Sequence, residues 1–358
     1  MLSNDFVSSS LSRARWRREA CINVAMAVDS HYKSPSRHLH FLSLHSERAF
    51  VSAMLDSGCK IIMSQDNIEE EADISCCALC GIAEIVDDIK LKDCDGCDLV
   101  RYCSDDCQIV HQSEHEEECK KRAAELRDEL LFRQPESTHM GDCPICCLPL
   151  PFELNDSTLM WCCSKTFCNG CRQELEARER RCPFCRRAYV KTYEESEEQR
   201  MKRVEANDPA ALRQEGATQL GKGEYQSAFE YYTKAAAMGD AEAHCRLARF
   251  SVEGQGVEKD EEKEVYHLEE AAIGGHPEAR YYLGCYEWGY NNNAERAVKH
   301  LIIAATLGDN DSLKMLMIAF KEGLVSKDEL AAVLRAQQAA VDATKSPQRK
   351  AAEGYYTE

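Results

Sequence analysis

No stretch of this 358-residue chain approaches the ~20 consecutive apolar residues that a membrane-spanning helix needs, so no membrane partner is expected. Basic charge is also short. Forty-four Lys plus Arg against 62 Asp plus Glu leave a net charge of −18, a field that repels phosphate backbones and sets nucleic acid aside as a partner. No glycine-rich phosphate loop and no nucleophile-elbow motif occurs, which removes two common catalytic chemistries. A secretory pattern is missing as well. The expected compartment is therefore a reducing one, cytoplasm or nucleus, where thiols stay available to metal.

Cysteine, by contrast, is concentrated. Seventeen of the 21 cysteines lie between Cys76 and Cys185, in short and regularly spaced pairs. Disulfides, redox chemistry and zinc compete to explain them. Disulfide scaffolds belong to small secreted chains, whereas short Cys-Cys loops deliver tetrahedral zinc ligands two at a time, so zinc is favoured. The stretch before these pairs is different. The first 65 residues carry thirteen serines, a basic cluster (Arg13, Arg15, Arg17, Arg18) and four histidines (His31, His38, His40, His45). A transit peptide and a disordered arm over residues 1–72 both fit, with Asp5 and Glu19 favouring the arm. Residues 41–63 mix apolar and polar positions in the manner of a short helix.

The first cysteine array contains four ligand pairs: Cys77/Cys80, Cys94/Cys97, Cys103/Cys107 and His115/Cys119. The last two pairs are spaced i, i+4 and therefore share one face of a helix. Eight ligands make two tetrahedral sites. With Tyr102 before Cys103 and Gln108 after Cys107, residues 76–119 resemble a MYND-type zinc finger. The resemblance implies interleaved sites, Cys77, Cys80, Cys103 and Cys107 in one and Cys94, Cys97, His115 and Cys119 in the other. Cys76 is an alternative to Cys77, and His111 to His115, each with the less usual spacing. Such fingers bind proteins, including proline-containing peptides. The acidic and aromatic positions used for that are here His111 and Gln112, a departure that sets the usual peptide in question. No SET-domain sequence accompanies the finger, so methyl transfer has no support.

A helical linker over residues 121–139, ending near Pro135, leads to the second array: CPIC at 143–146, CCSKTFCNGC at 162–171 and CPFC at 182–185. Residues 140–190 resemble a RING finger, which implies Cys143, Cys146, Cys168 and Cys171 on one zinc. The usual histidine position is Lys165, a poor ligand, so the other zinc would need the adjacent Cys162 and Cys163 together with Cys182 and Cys185. A degenerate module with a single zinc is the alternative, and Cys147 reads as a spare thiol. RING fingers position a ubiquitin-charged conjugating enzyme without covalent chemistry of their own. The resemblance places Ile145 and Pro183 on the enzyme-facing apolar surface and makes Arg186 the basic bridge to ubiquitin, a role that suits a guanidinium. Packing of the zinc loops is the plainer role for Ile145 and Pro183.

Beyond a charged connector (residues 191–206) the composition shifts to Ala, Leu, Tyr and Gly, and a repeat appears. AAAMGD at 235–240 aligns with AAIGGH at 271–276 and AATLGD at 304–309, and Ala339-Ala340 keeps the phase. Gly254, Gly289 and Gly323 recur in step, as do Leu247 and Leu283. This period signals paired helices stacked into a solenoid over 207–344. The loop GQGVEKD (254–260) resembles that of Sel-one-like repeats, relatives of the tetratricopeptide repeat. Tyr231, Tyr232, Tyr281 and Tyr282 are expected in the core, with Cys245 and Cys285 as small buried residues. Residues 345–358 are expected to be a disordered tail.

The expected fold class is mixed and multidomain: a 73–120 finger and a 140–190 finger, both zinc-stapled cross-braces, followed by an all-α helical-repeat solenoid. The expected complement is four zinc ions. The expected function is a zinc-dependent RING-type ubiquitin-protein ligase whose partners are a charged conjugating enzyme and a protein substrate held by the MYND finger or the repeats. A non-enzymatic zinc-stapled adaptor is the alternative, and a transcriptional corepressor is weaker, since only scattered basic residues hint at nuclear import.

Overall fold

The structure is a computed structural model and describes residues 75–82, 90–151, 156–176, 181–190 and 192–353. The expected arm, with its basic cluster, histidines and short helix, lies outside these residues. The described chain divides into two compact units, residues up to Asp128 and residues from Glu129 onward.

The first unit is small. Strands β1 (Lys92–Asp93) and β2 (Arg101–Tyr102) form an antiparallel pair, and helix α1 (Asp105–Leu131) starts immediately after. Among the described residues its buried apolar cluster is Cys77, Leu91 and Tyr102, too little apolar surface to hold these loops without a staple. Arg122 grips Asp98 through two hydrogen bonds of 2.7 and 2.9 Å, and Gln108 donates to Asp95 at 3.0 Å, so α1 is tied to the loop that carries Cys94 and Cys97.

The second unit begins with the second cysteine array. Hairpin β3 (Ser157–Met160) and β4 (Lys165–Cys168) runs directly into α2 (Asn169–Glu176). Then come α3 (Tyr193–Glu205), α4 (Pro209–Gly221), α5 (Tyr225–Ala236), α6 (Ala241–Glu253), α7 (Glu261–Ile273), α8 (Pro277–Gly289), α9 (Ala294–Thr306), α10 (Asn310–Lys321), α11 (Lys327–Ala343) and α12 (Pro347–Ala352). Helices α4/α5, α6/α7 and α8/α9 are the paired helices of three successive repeats, and α10 and α11 close the array.

The repeated alanine-glycine motif has a mechanical explanation. Gly239, Gly275 and Gly308 adopt φ of +81°, +80° and +105°, which ends each second helix in a left-handed turn. Asp240, His276 and Asp309 follow directly, and each side chain accepts a backbone N–H three residues on, capping the next helix. The alanines let the helices approach: Ala228, Ala235, Ala271, Ala272, Ala304 and Ala305 lie deep in the packed seams. Tyr232 is fully buried, while Tyr231, Tyr281 and Tyr282 pack on the edges of the cores. Cys245 is buried and Cys285 partly so.

Two expected boundaries need correction. The connector at 191–206 is helix α3, capped by Thr192, with acidic residues in its first turn and basic ones in its last. Its Arg200 is buried and paired with Glu215 of α4, so the segment is the opening layer of the solenoid and not a solvated spacer. The tail expected to be disordered forms α12 at Pro347–Ala352, capped by Ser346 and packed on α2. Charge patterning concealed both, because each buries an arginine in place of an apolar stripe.

The second cysteine module is anchored to the repeats at several points. Trp161 packs on the cluster formed by Val204, Leu212 and Tyr232, and Arg203 donates to Ser164 at 2.8 Å. The segment joining α1 to the module lies along the repeats: His139 donates its N–H to the Gly275 carbonyl at 3.0 Å, and Gln134 meets Thr306 at 3.1 Å.

Candidate metal centres

Four groups of ligand atoms converge, each within 4.8 Å internally: Cys77, Cys80, Cys103 and Cys107; Cys94, Cys97, His115 and Cys119; Cys143, Cys146, Cys168 and Cys171; Cys162, Cys163, Cys182 and Cys185. Zinc–sulfur bonds of ~2.3 Å in a tetrahedron put sulfurs ~3.8 Å apart. The Sγ separations fit: Cys80–Cys103 3.5 Å, Cys103–Cys107 3.6 Å, Cys94–Cys119 3.7 Å, Cys143–Cys171 4.0 Å, Cys146–Cys168 3.8 Å and Cys163–Cys182 3.6 Å. Each array has the cross-brace arrangement, with sequence-adjacent pairs alternating between centres.

The backbone is prepared for thiolates. In three of the Cys-x-x-Cys loops the residue after the second cysteine turns left-handed (Gly81, Cys147, Arg186; φ +73°, +54°, +62°) and its N–H returns to the first cysteine's carbonyl at 2.8–3.0 Å. The same turn aims N–H groups at the first sulfur. Burial opposes ionisation of Cys77, but the N–H groups of Cys80, Cys103 and Leu79 outweigh it and bring the thiol down to about 6. Cys143 comes down to about 7, where burial is outweighed by the N–H groups of Cys146, Cys168 and Ile145. Cys94 and Cys182 are lowered in the same way, against burial, so each cluster holds one thiol poised as the species that binds metal.

In the first unit His115 Nε2 sits 3.1 Å from Cys97 Sγ and is buried. Its other ring nitrogen faces Glu118. His111 is turned to a different task, its Nδ1 meeting the Tyr102 hydroxyl at 3.0 Å while its ring stacks on His115. The cluster is thus built on His115, and on Cys77 rather than Cys76.

In the second unit the vicinal cysteines are the unusual element. Along a strand, Cys162 and Cys163 would point to opposite faces. They lie instead in the turn between β3 and β4, where the N–H groups of Cys163 and Ser164 both reach the Met160 carbonyl, and the bend lets both thiols face Cys182 and Cys185. Lys165 pairs across the hairpin with Met160 and is exposed, outside the cluster. Cys147 is exposed and outside it too. Cys162→Ser is therefore expected to lower bound zinc by one equivalent, and Cys147→Ser to leave it unchanged, read by elemental mass spectrometry of the purified protein.

A further convergence, His139, Glu242 and His276, has two of its members already committed to hydrogen bonds. His276 Nδ1 accepts the Ala279 N–H as a helix cap, so its Nε2 carries the proton donated to Glu242 at 2.9 Å. Glu242 also holds Arg246 at 2.6 Å, and the two imidazoles stack at 4.2 Å and 13°. A metal here would have to displace hydrogen bonds that His276 and Glu242 already make. Burial and the neighbouring His276 push His139 down to about 3, keeping it neutral. His276 breaks the Gly-Asp phase of the repeat, the one sequence signal of this cluster.

Two family models match. One is the MYND finger over residues 77–119, and the other is the Sel1 repeat over residues 212–240, 241–276 and 277–309. The chain carries a MYND finger and Sel1 repeats. Neither match extends over residues 140–190, where zinc binding is indicated by the cysteine clusters. No curated protein matches the chain. Among solved structures, the chain is similar to a Sel1 repeat protein from Oxalobacter formigenes at 24% identity and a TM-score of 0.37, covering 42% of this chain and 66% of that one. It is also similar to c5321, a protective antigen of uropathogenic Escherichia coli with an SLR fold, at 24% identity and a TM-score of 0.33, covering 47% of this chain and 37% of that one. The fold is a zinc-finger region followed by a helical Sel1 solenoid, and the protein is a zinc-binding protein-interaction adaptor in the broad sense.

Proposed function

We propose that this adaptor is a RING-type ubiquitin-protein ligase holding four zinc ions. Its second cysteine module would position a ubiquitin-charged conjugating enzyme while the MYND finger and repeats recruit the protein substrate, in the cytoplasm. The observation that carries the reading is Arg186. It follows Cys185 at φ +62°, exposed, in a left-handed turn that glycine enters without strain and other residues enter at ~1 kcal/mol or more. The turn itself is shared with Cys147 and belongs to the loop; what Arg186 adds is an exposed guanidinium, which offers several fixed donors to carbonyls on two partners. Ile145, 37% exposed, and Pro183, partly exposed, lie inside their Cys-x-x-Cys loops, where an enzyme-docking surface would draw on them. Zinc supplies only the rigidity of these loops. Acceleration comes from holding a thioester and a lysine together.

The non-enzymatic adaptor is favoured by one observation, Lys165 standing where a RING would carry a ligand histidine. Autoubiquitination by the full chain across a panel of conjugating enzymes separates the two. Arg186→Gly removes the side chain while relieving the turn, so its melting temperature is expected to hold or rise slightly as ubiquitin transfer falls at least tenfold. Transfer that is unchanged by Arg186→Gly, or absent with every enzyme from zinc-loaded protein, favours the adaptor.

A further inference from the structure

Arg349 of α12 is 9% exposed, and its hydrogen-bond partners include no carboxylate. Its guanidinium donates to the Pro149 carbonyl at 2.6 Å, the Thr344 carbonyl at 2.7 Å, the Leu148 carbonyl at 3.1 Å and Cys146 Sγ at 3.4 Å. Three of these partners are neutral carbonyls, which leave the desolvation of a buried guanidinium largely uncompensated. The anionic group within reach is the metal centre itself. Four thiolates on one Zn²⁺ carry a net charge of −2, and N–H donors from a cation to ligand sulfur stabilise that charge. The fit is close on the backbone side as well. Gly170 lies between Cys168 and Cys171, and a Cβ there would stand 2.7 Å from the Arg349 backbone nitrogen and 2.8 Å from the Gln348 carbonyl carbon. The ligand loop therefore receives α12 only because that position is glycine.

We propose that Arg349 is a positioning residue of the Cys143, Cys146, Cys168 and Cys171 centre, and that zinc at this centre and docking of the C-terminal helix stabilise each other. Without zinc the centre loses its fixed negative charge and its loop geometry, and α12 detaches. Without α12 the centre loses a charged donor and a cover, and zinc leaves faster. Coupling of this kind is reciprocal by thermodynamic necessity. The inference rests on zinc occupying this centre and is independent of ligase activity.

The test uses the full zinc-loaded chain, with two readouts: the rate of zinc transfer to a colorimetric chelator, and amide exchange of residues 345–353. Arg349→Met removes the charge at similar length, and Gly170→Ala blocks docking while keeping every thiol and Arg349. In both variants one equivalent of zinc is expected to transfer on the order of tenfold faster or more, the scale seen when partners of metal ligands are lost, and the tail amides are expected to lose protection. Arg349→Lys should fall between. Unchanged zinc transfer and tail protection in both variants would overturn the coupling. Zinc content of Cys143→Ser serves as the separate control. If it equals that of the wild type, the centre holds no zinc and the premise fails; if it is one equivalent lower, any failure belongs to the coupling alone.

Discussion

Stripping zinc from the purified chain is expected to unfold both cysteine modules while the repeats stay helical. Among the described residues the first unit's apolar cluster is Cys77, Leu91 and Tyr102, and the second module's is Cys143, Leu150, Phe167, Cys168 and Cys171, most of which are ligands. Such cores cannot offset the conformational entropy of ordering their loops, on the order of 1–2 kcal/mol per residue. Metal binding, worth roughly 10–16 kcal/mol per structural zinc site, closes the gap. The repeats need no metal of their own, since their three apolar clusters are built mainly from Leu, Ala, Val, Tyr and Phe across neighbouring helices and include none of the clustered ligand cysteines. Chelation should therefore leave most of the 222 nm ellipticity in place. Amide protection over residues 94–119 and 143–185 should collapse, with the first half of α1 fraying because His115 and Cys119 lose their anchor. Restored protection on adding zinc back would complete the cycle. Protection that survives complete metal removal would show that these loops hold by other means.

The cysteine and histidine clusters were legible because tetrahedral coordination would force short, fixed separations onto the chain, and those separations survive in a bare string of letters. The repeats were legible for a similar reason. Each layer must make the same turn, so Gly239, Gly275 and Gly308 return in phase ahead of a capping residue. The attachment of the second module to the solenoid could not be read in this way. Arg349 reaches Cys146 across 203 positions, and Arg280 reaches Leu131 across 149. Neither belongs to a pattern, and both are arginines, a residue type expected at the surface. The tail PQRKAA has no apolar periodicity to betray a helix, and the connector's run of charges hid Arg200 and Val204, both buried. Of the residues expected to carry ligase activity, Arg186 gained a feature invisible in sequence, its left-handed backbone.

Replacing Arg280 by alanine is expected to have the largest effect of any single substitution in the repeats. The side chain is fully buried, and burial alone brings its guanidinium down to about 10, a sign of how much the interior resists the charge. Two donors offset part of that cost, while the buried Nε has no acceptor: Nη1 meets the Leu131 carbonyl at 2.6 Å and Nη2 the Arg133 carbonyl at 3.3 Å. These lie at the end of α1, where helix geometry leaves carbonyls without a partner. Leu131, 1% exposed, is pressed among Cys245, Ala248 and Leu268, and Phe132 stands between His300 at 4.7 Å and Arg296 at 4.8 Å. Alanine would leave two carbonyls short of a donor, at about 1–3 kcal/mol each, and open a cavity beneath them. Lysine would keep the charge and one donor, and should recover part of the loss. Because repeat arrays need not unfold in one step, the decisive reading is local. Amide exchange over residues 131–140 should accelerate in Arg280→Ala at temperatures where α10 and α11 remain protected. Equal exchange in the two proteins would mean that Leu131 and Phe132 hold the segment unaided. Accelerated exchange would identify a buried cation as the fastener between the second cysteine module and the repeats, the same device that Arg349 provides at the other end of the array.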